Sequence, residues 1–213
     1  QQNFDGGAII WVNNLIVDIL STTAASLLSL QETESCDAVL ILGEDTTNHG
    51  PRLALSLRQA ARNASFDLAA AAQIPLWHDA AVRKIGQQAH SPIIIATPYA
   101  DRLDDIATLS LRMTPLDIAQ FGFAVAEALR TGHADDVQVG RVMGILQQAE
   151  RPLIVSGSSL ANAEILKAAA NVANALAARN SNTGIVLCAD ACNAVGMGLL
   201  PHQVGGLESL ISK

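Results

Sequence analysis

Hydrophobic and polar positions alternate along the chain on two scales, and the contrast between them predicts its elements. Short unbroken apolar runs end in small or polar turns: Asp37-Ala-Val-Leu-Ile-Leu-Gly43, Pro92-Ile-Ile-Ile-Ala-Thr97, Pro152-Leu-Ile-Val-Ser156 and Gly184-Ile-Val-Leu-Cys188. A strand covered on both faces reads this way, because neither set of alternating side chains meets water. Thr108 to Arg112 reads as a weaker strand. Between the runs lie stretches with helical punctuation. Pro51 opens one to about Arg62; Thr114-Pro-Leu-Asp117 opens another, expected to reach Arg130 and stop at Gly132. After the variable Asp135 to Gln138 a third helix reaches about Ala149, and a fourth, near Leu160 to Ala178, sets Ile165, Val172 and Leu176 opposite Lys167, Asn171 and Asn174. The alanine run at 69–72 is helix-compatible. Strands alternating with helices predict an α/β fold, a doubly wound and mostly parallel sheet with helices on both faces.

The apolar stretch from Gly6 to Leu30 is interrupted by Asn13, Asn14 and Asp18 and has no Lys or Arg on either flank, so it is expected to be buried in protein and not inserted in a membrane. The expected organisation is an apolar opening segment, 1–32, packed on the core, then a first Rossmann-like unit, 33–132, and a second, 133–213, incomplete at its C-terminal end. The chain opens on Gln1 and closes at Lys213 inside an amphipathic run, and is expected to be a piece of something longer.

Composition narrows the partners. Half of the 213 residues are hydrophobic, 15% are charged and 3% aromatic, which excludes disorder and an aromatic stacking platform. The 20 acids outnumber the 13 bases, and no Lys or Arg precedes Arg52. No basic stripe exists for nucleic acid or anionic lipid. Three cysteines, Cys36, Cys188 and Cys192, are too few for a disulfide framework and point to a reducing compartment, the cytoplasm by default.

The best-placed candidate site is the loop Gly43-Glu-Asp-Thr-Thr-Asn48, at the carboxyl end of the first buried strand, where such sheets bind nucleotides. It lacks Gly-x-Gly-x-x-Gly and a phosphate-loop lysine, and Glu44 and Asp45 would repel phosphates; the residues read as a turn with Asn48 capping a helix. Ser156-Gly-Ser-Ser159 is the matching turn after the Pro152 strand. Its hydroxyls and N–H groups suit an anion, but no nucleophile elbow surrounds Ser158, and helix capping is the simpler reading. Asp101, Asp104 and Asp105 read as a solvated helix start. The cysteines and the scattered His49, His78, His90, His133 and His202 offer no metal-ligand spacing, so neither a metal nor a catalytic residue is assigned.

The stretch from Cys36 to Ala60 resembles the large molybdopterin oxidoreductase superfamily. More narrowly, it resembles the molybdopterin-type region of the G subunit of bacterial respiratory NADH:quinone oxidoreductase, complex I. Asp101–Ala107, Arg151–Ser159, Ala168–Ala173 and Asn193–Gly198 continue the likeness, so that it spans roughly residues 30–213. Cofactor-bearing relatives have a Gly-Asn-type turn where this chain reads Gly43-Glu44-Asp45. They also have a second strand ending in an Asp-Pro-Arg-like segment, where this chain has Ala64 to Gln73, and a Pro-Gly-Thr-Asp turn where it has Met113 to Asp117.

The resemblance implies a non-catalytic scaffold and interaction region with a degenerate pterin site. Gly43, Glu44, Asp45, Thr46, Asn48, Ser156, Ser158 and Asn193 would be its vestigial residues. It also implies no cofactor within this segment, with the iron–sulfur clusters of the parent subunit carried elsewhere. The implied partners are the remainder of that subunit and neighbouring peripheral-arm subunits, on the cytoplasmic side of the inner membrane. The alternative is a functional molybdopterin-guanine-dinucleotide oxidoreductase domain with the Gly43 and Ser156 loops facing one cleft. A free-standing NAD-binding protein would need a fingerprint that is missing.

Overall fold

A computed structural model describes residues 8–87, 89–189 and 191–199. In chain order it holds α1 (Ala8–Thr22), β1 (Ser26–Leu27), α2 (Leu30–Thr33), β2 (Ala38–Leu42), α3 (Thr46–His49), α4 (Pro51–Ala60), α5 (Asn63–Ala71) and α6 (Asp79–Ile85). These are followed by β3 (Ile93–Thr97), a 3-10 turn at Arg102–Asp105, β4 (Leu109–Arg112), α7 (Pro115–Thr131), α8 (Val137–Gln148), β5 (Pro152–Gly157), α9 (Ala163–Ala177), β6 (Gly184–Cys188) and α10 (Ala194–Gly198). No helix is long and apolar enough to cross a membrane among the described residues.

The strands form one six-stranded sheet in the order β1-β6-β5-β2-β3-β4, every adjacent pair parallel. The α/β expectation holds, and the apolar runs explain why. Leu40, Leu42, Ile94, Ile154 and Ile185 enter a core with α1, α7, α8 and α9. Their neighbours Val39, Ile41, Ile93, Ile95, Leu153 and Val155 face the other way, onto Leu53 and Leu57 of α4, Ala61 at its C-terminal cap, and Leu103. With a side-chain period of two, burial on both faces requires the continuous hydrophobic runs. Strands from 33–132 and from 133–213 are neighbours in this one sheet, which continues past the turn between α7 and α8.

Buried and part-buried polar side chains pin the ends of the layers. The Asp37 carboxylate accepts from the N–H groups of Glu150 (2.7 Å) and Arg151 (2.8 Å), joining the entrances of β2 and β5. Asn174 Oδ1 accepts from the Ala24 N–H (2.8 Å) and the Thr23 hydroxyl (3.0 Å), which docks the end of α1 on α9. Val12, Ile16 and Ile19 of α1 are buried against the sheet, so the described part of the opening segment packs on the core. α7 has the expected punctuation: Thr114 accepts from the Asp117 N–H, Pro115 stands in the first turn, and Gly132 closes the helix at φ +78°. α9 begins later than the sequence suggests, at Ala163, because the Ser158–Ala161 turn precedes it and Asn162 caps it, whereas α8 begins earlier, at Val137, because Asp136 within the stretch read as variable caps it.

α7 and α9 cross where neither carries bulk. A Cβ on Gly122 would lie 2.8 Å from the Ala168 Cβ and 3.1 Å from Leu42 Cδ1. We therefore expect Gly122→Leu to lower the unfolding free energy by about 1–3 kcal/mol, the range for overpacking. Gly144→Ala, where a new Cβ in α8 meets nothing within 4 Å, should raise it by about 0.5–1 kcal/mol. Urea unfolding of the two variants beside the unmodified chain measures both.

Candidate functional site

The order of strands reverses between β2 and β5: the chain leaves β2 for β3 and β4 on one side, then returns to β5 on the other. Ligands of open α/β sheets bind at the carboxyl ends of strands flanking such a point. Two loops meet there, Gly43–Asp45 leading into α3 and Ser158–Asn162 leading into α9. Gly43 turns the first of them at φ +67°, a conformation that an L side chain rarely adopts.

The crevice between the loops is filled by the chain's own side chains. Glu44 is 1% exposed. Its Oε2 accepts from the Ser159 N–H (3.2 Å) and its Oε1 from the Ser159 hydroxyl (2.5 Å). Ser159 Oγ also accepts from the Asp45 N–H (3.1 Å) and lies 2.8 Å from His49 Nδ1. His49 Nδ1 is 3.4 Å from Glu44 Oε1. Gly157 makes the close packing feasible, since a Cβ there would lie 2.3 Å from Glu44 Oε2 and 2.4 Å from the Cys188 carbonyl oxygen.

Burial pushes the Glu44 carboxyl above its usual range, against the lowering effect of the two Ser159 hydrogen bonds and of His49. Burial, followed by the Glu44 charge, pushes the Cys188 thiol up to about 12. The Tyr99 hydroxyl is raised by its partial burial and then by Asp45, Glu44 and Asp101. Negative charge therefore dominates this corner of the sheet.

A serine, a histidine and a glutamate in contact invite comparison with a nucleophilic triad. A triad needs the serine on one imidazole nitrogen and the acid on the other. Here both approach Nδ1. Among the described residues no acid holds the far nitrogen of the imidazole, so nothing here activates Ser159 as a nucleophile, and the arrangement is a hydrogen-bonded clasp.

Among the curated relatives that align with the chain are the G subunits of the NADH-quinone oxidoreductases of Salmonella typhimurium (40% identity over 194 residues), Escherichia coli K12 (38% over 193) and Pseudomonas putida (37% over 208). The alignments cover 85%, 87% and 93% of this chain. The chain is a homologue of one region of the NADH-quinone oxidoreductase G subunit. It spans about a fifth of those relatives, 21%, 21% and 23% of their lengths. No family model matches it. A chain of the formyltransferase/hydrolase complex of Methylorubrum extorquens has a similar fold, with a TM-score of 0.58 and 16% identity over 89% of this chain and 47% of that one.

In this chain the structure brings together Gly43, Glu44, Asp45, Thr46, Asn48, Ser156 and Ser158 of the expected residues, in roles that differ from the expected ones. Asp45, and not Asn48, caps α3, its carboxylate accepting from the Asn48 N–H (3.0 Å) and side-chain amide (2.7 Å). Ser156 is buried, and its hydroxyl donates to the Leu42 carbonyl (2.8 Å). Ser158 caps no helix, because Ser158–Ala161 forms a turn closed by the Ala161 N–H on the Ser158 carbonyl (2.8 Å). The Thr46 and Ser158 hydroxyls are buried without a hydrogen-bond partner. Asn193 is exposed at φ +61°, and among the described residues it makes no hydrogen bond to either loop.

The residues missed from the sequence are His49 and Ser159. His49 reads as one of five scattered imidazoles, and Ser159, 110 positions away, has no visible relation to it in the sequence. The aspartates read as a helix start are one: Asp101 and Asp104 form a capping box, Asp104 also pairs with Arg112, and Asp105 pairs with Arg58 (2.9 Å).

The raised Glu44 carboxyl makes the fold pH-dependent in a defined direction. The native state holds this proton to higher pH than the unfolded chain does, so the contribution of Glu44 is fully present below the ordinary carboxyl range. It is lost as pH rises through the raised value. Unfolding free energies measured in urea at a series of pH values should show this decline, and Glu44→Gln should flatten it.

Proposed function

We propose that this region is a non-catalytic scaffold of the G subunit, contributing packing surface to NADH:quinone oxidoreductase while electrons pass from NADH to quinone through carriers held elsewhere in the parent subunit. Its partners are then the remainder of that subunit and neighbouring subunits of the peripheral arm, on the cytoplasmic side of the inner membrane. Nucleic acid and direct membrane insertion have no part in it.

The observation that carries this reading is the Glu44 carboxylate lying on the Ser159 N–H and hydroxyl in the switch-point crevice. Backbone N–H groups of loops at this position are the groups that would receive a cofactor phosphate. A pterin dinucleotide would bring anionic phosphates to donors already held by a carboxylate, with Asp45 alongside. Among the described residues, no Lys or Arg lies within ion-pair distance of Glu44. The residues present do not suit a molybdopterin guanine dinucleotide, and no step is routed through one.

The nearby open groove of about 560 Å³, lined by Pro98, Arg112, Met113, Thr114, Pro115 and Asp117, offers no better cradle. Its arginine is paired with Asp104.

Metal and pterin analysis of the purified full-length subunit tests the proposal. Mass spectrometry should find iron without stoichiometric molybdenum or tungsten, and denaturation should release no fluorescent oxidised pterin. Stoichiometric pterin with either metal would establish a working cofactor domain and overturn the scaffold reading.

A further inference from the structure

The Glu44–Ser159–His49 clasp has more hydrogen-bonding groups than a simple structural tie requires, and counting its protons shows what the surplus can do. Ser159 Oγ has one proton to donate and two lone pairs to fill. The Asp45 N–H occupies one lone pair. That leaves one donation and one acceptance for two partners, Glu44 Oε1 and His49 Nδ1.

Two directions of the hydrogen-bond chain satisfy every group, the first of them with His49 either neutral or an imidazolium. In the first, Glu44 is ionised, Ser159 donates to it, and His49 donates Nδ1–H to Ser159. In the second, Glu44 is neutral and donates to Ser159, and Ser159 donates to a bare His49 Nδ1. A third state, with both Glu44 and His49 protonated toward Ser159, leaves the serine proton without an acceptor.

We propose that Glu44, Ser159 and His49 form a binding site for a single shared proton, connected to solvent through the imidazole. The proton enters at His49 Nε2, for which no protein hydrogen bond exists among the described residues, on a side chain that is 38% exposed. The Nδ1–H bond then breaks as a Ser159 O–H bond forms, and the original Ser159 O–H bond breaks as a Glu44 O–H bond forms. Uptake therefore converts ionised Glu44 with the Nδ1–H tautomer of His49 into neutral Glu44 with the Nε2–H tautomer, taking up one proton from solvent. Neither end moves, since both hydrogen bonds persist with their directions reversed.

The surroundings favour a shared proton over a permanent charge. Asp45 and His49 face Glu44 from its own loop, Cys188 faces it from the end of β6, and Tyr99 faces it from beyond β3, with Asp101 close to Tyr99. His49 is the one basic group in that set, and it belongs to the clasp itself. The clasp closing the crevice also supports the scaffold reading, but the experiment counts protons in the full chain and not cofactor, so the two proposals fail separately.

The test follows the Glu44 carboxyl carbon and both His49 ring nitrogens by NMR in the isotopically labelled full chain across neutral pH. The expected result is a common midpoint for the two residues and a change of His49 tautomer at that midpoint. Ser159→Ala removes the group that links the two and should separate their midpoints. Glu44→Gln keeps the side chain's shape and covers the case in which Ser159→Ala does not fold. It should displace the His49 midpoint and abolish the tautomer change. Separate midpoints in the unmodified chain, a proton that stays on His49 as an imidazolium while the Glu44 carboxyl remains ionised, or a His49 response unaltered by Glu44→Gln would overturn the proposal.

Discussion

The parallel pairing of β2 with β5 is the constraint on which the rest of this structure depends. These strands are brought together from positions 114 residues apart, as the Ser156–Leu42 hydrogen bond records. Leu40 then stands beside Ile154 and Ile41 beside Val155. At the entrance the Asp37 carboxylate ties the strands through two N–H groups, and at the exit the Ser156 hydroxyl holds the Leu42 carbonyl. A slip of one residue would turn the apolar set of β5 from one core to the other. It would also carry Ser159 away from Glu44. Strand register, two cores and crevice chemistry are thus one geometric fact.

That fact accounts for a carboxylate buried at the place where open α/β sheets bind ligands. A buried ionised group is costly unless paired and hydrogen-bonded. Glu44 meets the requirement through the Ser159 N–H and hydroxyl, with His49 near enough to adjust its charge. The glycine at 157 is part of the same solution, because any side chain there would collide with Glu44 Oε2 and the Cys188 carbonyl. In this homologue of a G-subunit region, internal contacts therefore stand where an open crevice would offer a binding surface. The two α/β portions gain a fastening at the carboxyl end of the sheet where a ligand would otherwise bridge them.

Much of the fold is legible in local pattern because local physics decides it. The runs at Ala38–Leu42, Ile93–Thr97 and Pro152–Gly157 had to be strands buried on both faces, Gly184–Cys188 a strand buried at its start and part-buried beyond, and Thr114, Pro115 and Gly132 had to bound a helix. The short β1, Ser26–Leu27, is not legible, since two exposed residues carry no period and pair only because β6 presents an edge. Local pattern places the start of α8 too late and that of α9 too early, and it makes Asn48 a helix cap where the cap is Asp45, at the head of α3, a short helix it does not show. Several polar residues compete for a cap within one turn, and backbone geometry selects among them.

The candidate site divides along the same line. The amino-acid sequence by itself determined that the Gly43–Asn48 and Ser156–Ser159 loops end buried parallel strands, that acids occupy the first loop, and that no phosphate fingerprint is present. These are properties of residues near one another in the chain. Only the tertiary structure decided that Glu44, His49 and Ser159 meet, that Ser156 serves Leu42, and that Asn193 stands apart. Contacts across more than a hundred residues are set by the order and register of strands in the sheet, and no local pattern encodes which two loops the sheet will bring face to face.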